Sequence, residues 1–172
     1  MMAATDMAPD QQSADRGDAP LVVVSFWLGP QQYGLPIESV REVVRLPALI
    51  TLAGAPPALC GLLNLRGYYL PVLDGRVLVG EQAHYDLSTQ IIIVGHARPK
   101  LGLLVDRVER VATFAQAART PLQNGVATPL LDSIVDDQQG STILLDLAAL
   151  ARLAAAGQQA AVAQAVAVVA DQ

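Results

Sequence analysis

The sequence predicts an all-β domain, a barrel or sandwich of short strands, and three observations carry that prediction. Short β-branched and aromatic runs recur at regular spacing between Leu21 and Leu145, separated by Gly, Pro, Asn and Asp. Only two segments show clear helical periodicity, Ile37–Arg45 and the stretch that opens at Leu147. No strand–helix–strand alternation of the kind that builds a parallel sheet is visible.

Taken in order, residues 1–19 hold four aspartates and, Thr5 apart, no aromatic or β-branched residue, and they read as a disordered tail. Leu21–Leu28 is a buried strand, Gly29–Pro30 breaks it, and Gln32–Leu35 returns as its hairpin partner. In Ile37–Arg45 the apolar residues Ile37, Val40 and Val44 fall at helical spacing after Pro36, which predicts a short amphipathic helix. Cys60–Leu65 and Tyr68–Leu73 form a second hairpin around Arg66–Gly67. Pro71 cannot donate to a ladder, so its strand belongs at an edge or a bulge. Residues 80–88 are polar and loop-like. Gln90–Val94 and Leu101–Val105 make a third hairpin, and Val108–Phe114 adds a strand. Residues 115–139 give no clear pattern, with Asp136–Gly140 a simple turn. Ser141–Leu145 is the last strand, and Asp146 stands at the N-cap of a closing helix. The Ala/Gln/Val segment 154–172 has a weak apolar face broken by Gly157 and reads as a tail.

At 172 residues, with 52% hydrophobic and 16% charged, the chain can bury an extensive interior and still leave an apolar surface suited to partners. The run Ala160–Ala170 is too short to span a membrane, and the N-terminus has no secretory h-region. A single cysteine, Cys60, fits a reducing compartment, so a cytoplasmic location is expected. Between Pro20 and Leu153 eleven acidic residues face ten basic ones, a net of −1, and the basic residues are scattered along the chain. Nucleic-acid binding and membrane insertion are therefore not expected.

Candidate chemistry is sparse. His84 and His96 lie in loops without ligand partners, so no metal is expected. Asp74, Asp106 and Asp146 each follow an apolar strand; they read as caps of strand ends and turns rather than as a catalytic pair. Cys60 reads as inert packing, and Trp27 as core. No phosphate-loop, dinucleotide or nucleophile-elbow motif occurs, so neither a catalytic residue nor a cofactor is assigned.

The segment Gly61-Leu-Leu-Asn-Leu-Arg-Gly67, followed by Tyr68–Val72, Leu73 and Asp74, resembles the signature hairpin of the CheW-like chemotaxis coupling family. Gly34 with Val40–Glu42, the strand Gly102–Val108, and Ile143–Leu147 with its Ala/Leu helix resemble further family features in the same order. The likeness spans about residues 20–153. It departs where Gly75 separates Asp74 from Arg76, and in the indistinct 115–139.

The resemblance implies two small SH3-like β-barrels sharing a hydrophobic core, with a short first helix and a C-terminal helix. The reading places the CheW-like domain at 20–153, its barrels dividing near 80–90. It also implies a non-catalytic scaffold that links the cytoplasmic tip of a chemoreceptor to the regulatory domain of a CheA-type histidine kinase. Receptor contact is expected at Arg66, Glu42, Val40 and Tyr68. For Arg66 a turn-stabilising role and a contact role stand side by side, since its fork of donors suits either. Glu42 could simply pair with Arg41 or Arg45, and Val40 reads more as core than as contact. Tyr68 and Tyr69, adjacent on a strand, should split between buried and exposed faces. A small-ligand or enzymatic β-barrel is the alternative function.

Overall fold

The computed structural model describes residues 19–98, 100–122 and 129–170, so the expected N-terminal tail lies outside the described residues except for Ala19. Among them run strands β1 (Leu21–Leu28), β2 (Gln31–Pro36), β3 (Val40–Arg45), β4 (Leu59–Leu65) and β5 (Tyr68–Asp74). A helical turn α1 (Gly75–Leu78) follows, then β6 (Gln90–Val94), β7 (Leu101–Val105), β8 (Arg107–Phe114), β9 (Arg119–Pro121), β10 (Leu131–Asp137), β11 (Gly140–Leu145) and helix α2 (Leu147–Ala170).

The strands form two sheets, β8-β1-β2-β11-β10-β9 and β3-β6-β7-β5-β4, the two small barrels of the expected fold. They do not split the chain near 80–90. The five-stranded sheet takes the middle of the chain, and the six-stranded sheet is assembled from both ends, with β2 and β11 paired in parallel.

Alternation along the strands explains why runs such as Ile91–Ile92–Ile93–Val94 are apolar at every position. Ile92 and Val94 face the core that lies between the sheets, together with Phe26, Leu28, Leu73, Leu103 and Leu150. Ile91 and Ile93 face a second core inside the five-stranded sheet, with Leu63, Leu70, Val72 and Leu104. A third cluster, Val23, Phe114, Val135 and Leu144, fills the other sheet. Each strand buried on both faces contributes to two cores, so no polar face is left to show in its sequence.

The expected first helix is corrected. Only Ile37–Ser39 turns, as a single 3₁₀ turn, and Val40–Arg45 is a strand whose even positions are half-buried and odd positions exposed. The helical spacing of Ile37, Val40 and Val44 coexists with a period of two at Val40, Glu42 and Val44, and three valines in six residues favour the extended form.

Pro71 is not on an edge strand, because β5 lies between β4 and β7. Opposite it, Leu62 turns both its N–H and its C=O away to Ile50, at 2.9 Å each. The Leu62–Pro71 pair is therefore a non-hydrogen-bonded one, and pairing with β7 begins only at Val72. No ladder bond is asked of the missing N–H.

The aspartates act as caps and anchors. Asp74 is fully buried; it accepts from the backbone N–H of Arg76 and Val77 at 2.9 and 3.3 Å and from the Tyr85 hydroxyl at 2.6 Å. Asp146 caps α2 by accepting from Ala149 N at 3.0 Å. Asp106 accepts from Gly29 N at 2.8 Å and from both Nε and a terminal nitrogen of Arg76. Gly75, the departure from the family pattern, starts α1 where a Cβ would stand 2.7 Å from both Leu104 O and Leu28 Cδ2. A side chain does not fit between Asp74 and Arg76.

The closing helix runs on past residue 153 to Ala170, with Ala154 and Ala161 buried and Gly157 facing Leu59 and Pro56. Small residues let α2 lie close against the loop before β4. No described helix is long and apolar enough to cross a membrane. Trp27 is half-exposed rather than core. Its indole N–H donates to Glu109 at 2.9 Å, and the Arg107 guanidinium lies 5.1 Å over its ring, so one face packs on a cation instead of the interior.

Candidate functional site

The β4–β5 hairpin turns through Arg66 and Gly67, with φ of +52° and +88°. Positive φ at both central residues matches the right-handed twist of the flanking strands. Arg66 is the one non-glycine residue with positive φ among those described. Such a position costs roughly 1–2 kcal/mol for a residue with a Cβ. Asn64 offsets part of that by accepting from Gly67 N at 2.9 Å, closing the turn with its side chain. The Asn-Leu-Arg-Gly order is thus a turn prescription in which arginine is not the residue backbone geometry would select.

The Arg66 side chain reaches back across the mouth of the five-stranded barrel and donates to Glu42 on β3 at 3.1 Å. Arg66 remains 78% exposed and Glu42 30%. A pair this exposed contributes roughly 0–1 kcal/mol to folding, so stability alone does not explain it. Beneath it lies a groove of about 590 Å³ lined by Arg41 and Glu42, Leu65 and Arg66, Tyr68–Pro71, Arg98, Lys100 and Gln158.

Of the residues expected at a partner site, Arg66, Glu42 and Tyr68 therefore meet at one groove. Val40 does not join them; it is half-buried and packs on the core between the sheets. Tyr68 and Tyr69 do not split into buried and exposed. They are 70% and 57% exposed, because the hairpin tip projects past the sheet and burial begins at Leu70. Arg41, Arg98, Lys100 and Gln158 were not singled out from sequence. Arg41 and its neighbour Glu42 both line the groove, beside a register shift in the β3–β6 ladder between Val40 and Glu42.

Elsewhere the chemistry is quiet. Burial first, and then the Asp74 carboxylate, push the Cys60 thiol up to about 11, which keeps it protonated and unreactive. Burial and the hydrogen bond to Asp74 raise the Tyr85 phenol. No group of three or more His, Cys, Asp or Glu side chains among the described residues could hold a metal ion.

The chain resembles known proteins along most of its length. The family model described as "CheW-like domain" matches residues 22–155. A probable chemotaxis protein CheW from Rhizobium etli is 31% identical over 134 residues, 77% of this chain and 81% of that protein. The chemotaxis protein CheW of Klebsiella aerogenes is 32% identical over 90 residues, 52% of this chain and 54% of that one. The crystal structure of the scaffolding protein TtCheW from Thermoanaerobacter tengcongensis superposes with a TM-score of 0.70 at 28% identity, covering 75% of this chain and 90% of that chain.

Proposed function

The chain belongs to the CheW-like domain family and is a chemotaxis coupling adaptor, and we propose that it joins the cytoplasmic tip of a chemoreceptor to the regulatory domain of a CheA-type histidine kinase. It does so in the cytoplasm and without catalysing a reaction. The observation that carries the receptor half is the Arg66 turn, an exposed guanidinium in a backbone conformation glycine would adopt more cheaply, held by Glu42 over a groove. Arg66, Glu42 and Tyr68 make the contact, and Val40 supports β3 from within the core. Kinase contact falls on apolar surface at a barrel end. The small-ligand or enzymatic alternative finds no support among the relatives, which carry chemotaxis and scaffolding names.

Titration calorimetry with a receptor signalling-tip fragment and, separately, with the kinase regulatory domain tests the proposal. Both should bind, and a ternary complex should elute as one species in gel filtration. A chain that binds neither partner, or only one at a time, is not a coupling adaptor of this kind.

A further inference from the structure

Four of the chain's eleven lysines and arginines converge on the groove, from three separate segments: Arg41 on β3, Arg66 on the hairpin, and Arg98 and Lys100 on the β6–β7 loop. The single carboxylate among the groove residues, Glu42, is already engaged by Arg66. The groove therefore carries a net charge of +3 on a chain whose net charge is −5. Along the sequence these residues are scattered, and only the fold gathers them.

Backbone contacts hold the chain on either side of the residues that present two of them. Gly95 has φ +149°, and a Cβ there would lie 2.1 Å from Arg98 O, so only glycine lets the chain fold back this tightly. Gly95 N donates to Ser39 O and Lys100 N to Val94 O, both at 2.8 Å. Arg41 is oriented by donating to His96 O at 2.7 Å. Among the described residues, Arg41, Arg98 and Lys100 make no ion pair. Three cations around one concave surface, whose one carboxylate is already paired with Arg66, repel one another, and a partner's carboxylates relieve that repulsion.

We propose that the groove takes an acidic segment of a protein partner, with Arg98 and Lys100 as the residues that select for its charge. The inference rests on the groove being the receptor-contact surface. A nucleic acid is disfavoured, because the overall negative charge opposes a phosphate backbone everywhere outside this one short groove.

The test uses the full chain in solution, with amide NMR as the readout. The probes are a synthetic glutamate-rich peptide, its all-glutamine counterpart, and a single-stranded oligothymidylate of similar length. The glutamate peptide should shift the signals of Arg98, Lys100 and Gln158, and its affinity should fall at least about fivefold between low and moderate salt. The glutamine peptide should not bind. Arg98→Gln with Lys100→Gln should lose most of the binding while the melting temperature stays unchanged. Equal binding of both peptides, shifts scattered over Arg107, Arg110 and Arg119, or equal binding of the oligothymidylate would each overturn the proposal. A receptor-tip titration separates the two readings. If the tip binds the double variant as tightly as the native chain, charge selection fails and receptor contact stands. If the glutamate peptide binds as expected and the tip does not, the receptor assignment fails and the acidic-segment site stands.

Discussion

Glu42 and Arg66 belong to opposite edges of the five-stranded sheet, one on β3 and the other at the tip of the β4–β5 hairpin, yet a 3.1 Å ion pair joins them. The sheet curls so that its two margins face each other, and the pair spans the opening between them. Because Arg66 is so exposed, Arg66→Ala should shift the melting temperature little. Receptor affinity should fall by roughly 1–3 kcal/mol, the range for losing charge-assisted hydrogen bonds. The swapped variant, Glu42→Arg with Arg66→Glu, restores a pair but not the contact, and should bind no better than Arg66→Ala. Native receptor affinity in a folded Arg66→Ala protein would remove the hairpin from the interface.

The Arg76–Asp106 pair should behave in the opposite way. Both side chains are largely buried, at 19% and 15% exposure, and Asp106 also holds Gly29 N in the β1–β2 turn. Truncating either partner strands the other in a poorly solvated site, at a cost of roughly 2–4 kcal/mol. Arg76→Ala should lower the midpoint of chemical denaturation markedly. Receptor and kinase affinities, measured well below that midpoint, should stay near native.

Alkaline pH should weaken the fold. The folded state raises the proton affinity of Cys60, Tyr85 and Tyr33, in each case first through burial. Stability from these groups is complete below their unfolded pKa values and is lost as pH climbs through the raised folded ones. For Cys60 the window runs from about 9 to about 11. At pH 8 the scarcity of thiolate should make alkylation of Cys60 on the order of a hundredfold slower than for a free cysteine. A fast reaction of the native protein with iodoacetamide would contradict the burial assigned to this thiol.

Ending the chain after Leu153 should destabilise it. The cut removes Ala154, Gly157 and Ala161 from their seat and uncovers Leu59. Exposure of that apolar surface, with loss of a helical turn that packs, should cost roughly 1–2 kcal/mol and about 2–8 °C in melting temperature. An unchanged midpoint would show that residues 154–170 contribute nothing to the domain.

Much of the architecture was legible in local sequence. Three hairpins, the Asp146 cap and the turn-forming role of Asn64 and Gly67 follow from β-branched runs and turn chemistry that act over a few residues. What escaped was set by distance. Val40–Arg45 satisfies helical and strand periods alike, and its pairing with β6, some fifty residues on, decides between them. The apolar strand around Trp27 reads as core, whereas a cation and a carboxylate from β8 hold its ring at the surface. Arg66 and Glu42 were found through a motif, but Arg98 and Lys100 stand in a loop with no signal of its own. Only the closing of the sheet brings them to the hairpin.

The interleaved strand order also constrains how the chain can fold. Residues 40–105 hold all five strands of the middle sheet, so that sheet can form as soon as its own segment is available. The six-stranded sheet cannot. Gln32 meets Thr142 across 110 positions, and β2 stays without its parallel neighbour until β11 arrives. Contacts of such long range make a slow, late step, with loop closure preceding any gain from pairing. The β1–β2 hairpin therefore keeps an open edge until β11 arrives, and the core between the sheets, which takes Phe26 and Leu28 from one end and Leu145 and Leu150 from the other, is complete only then.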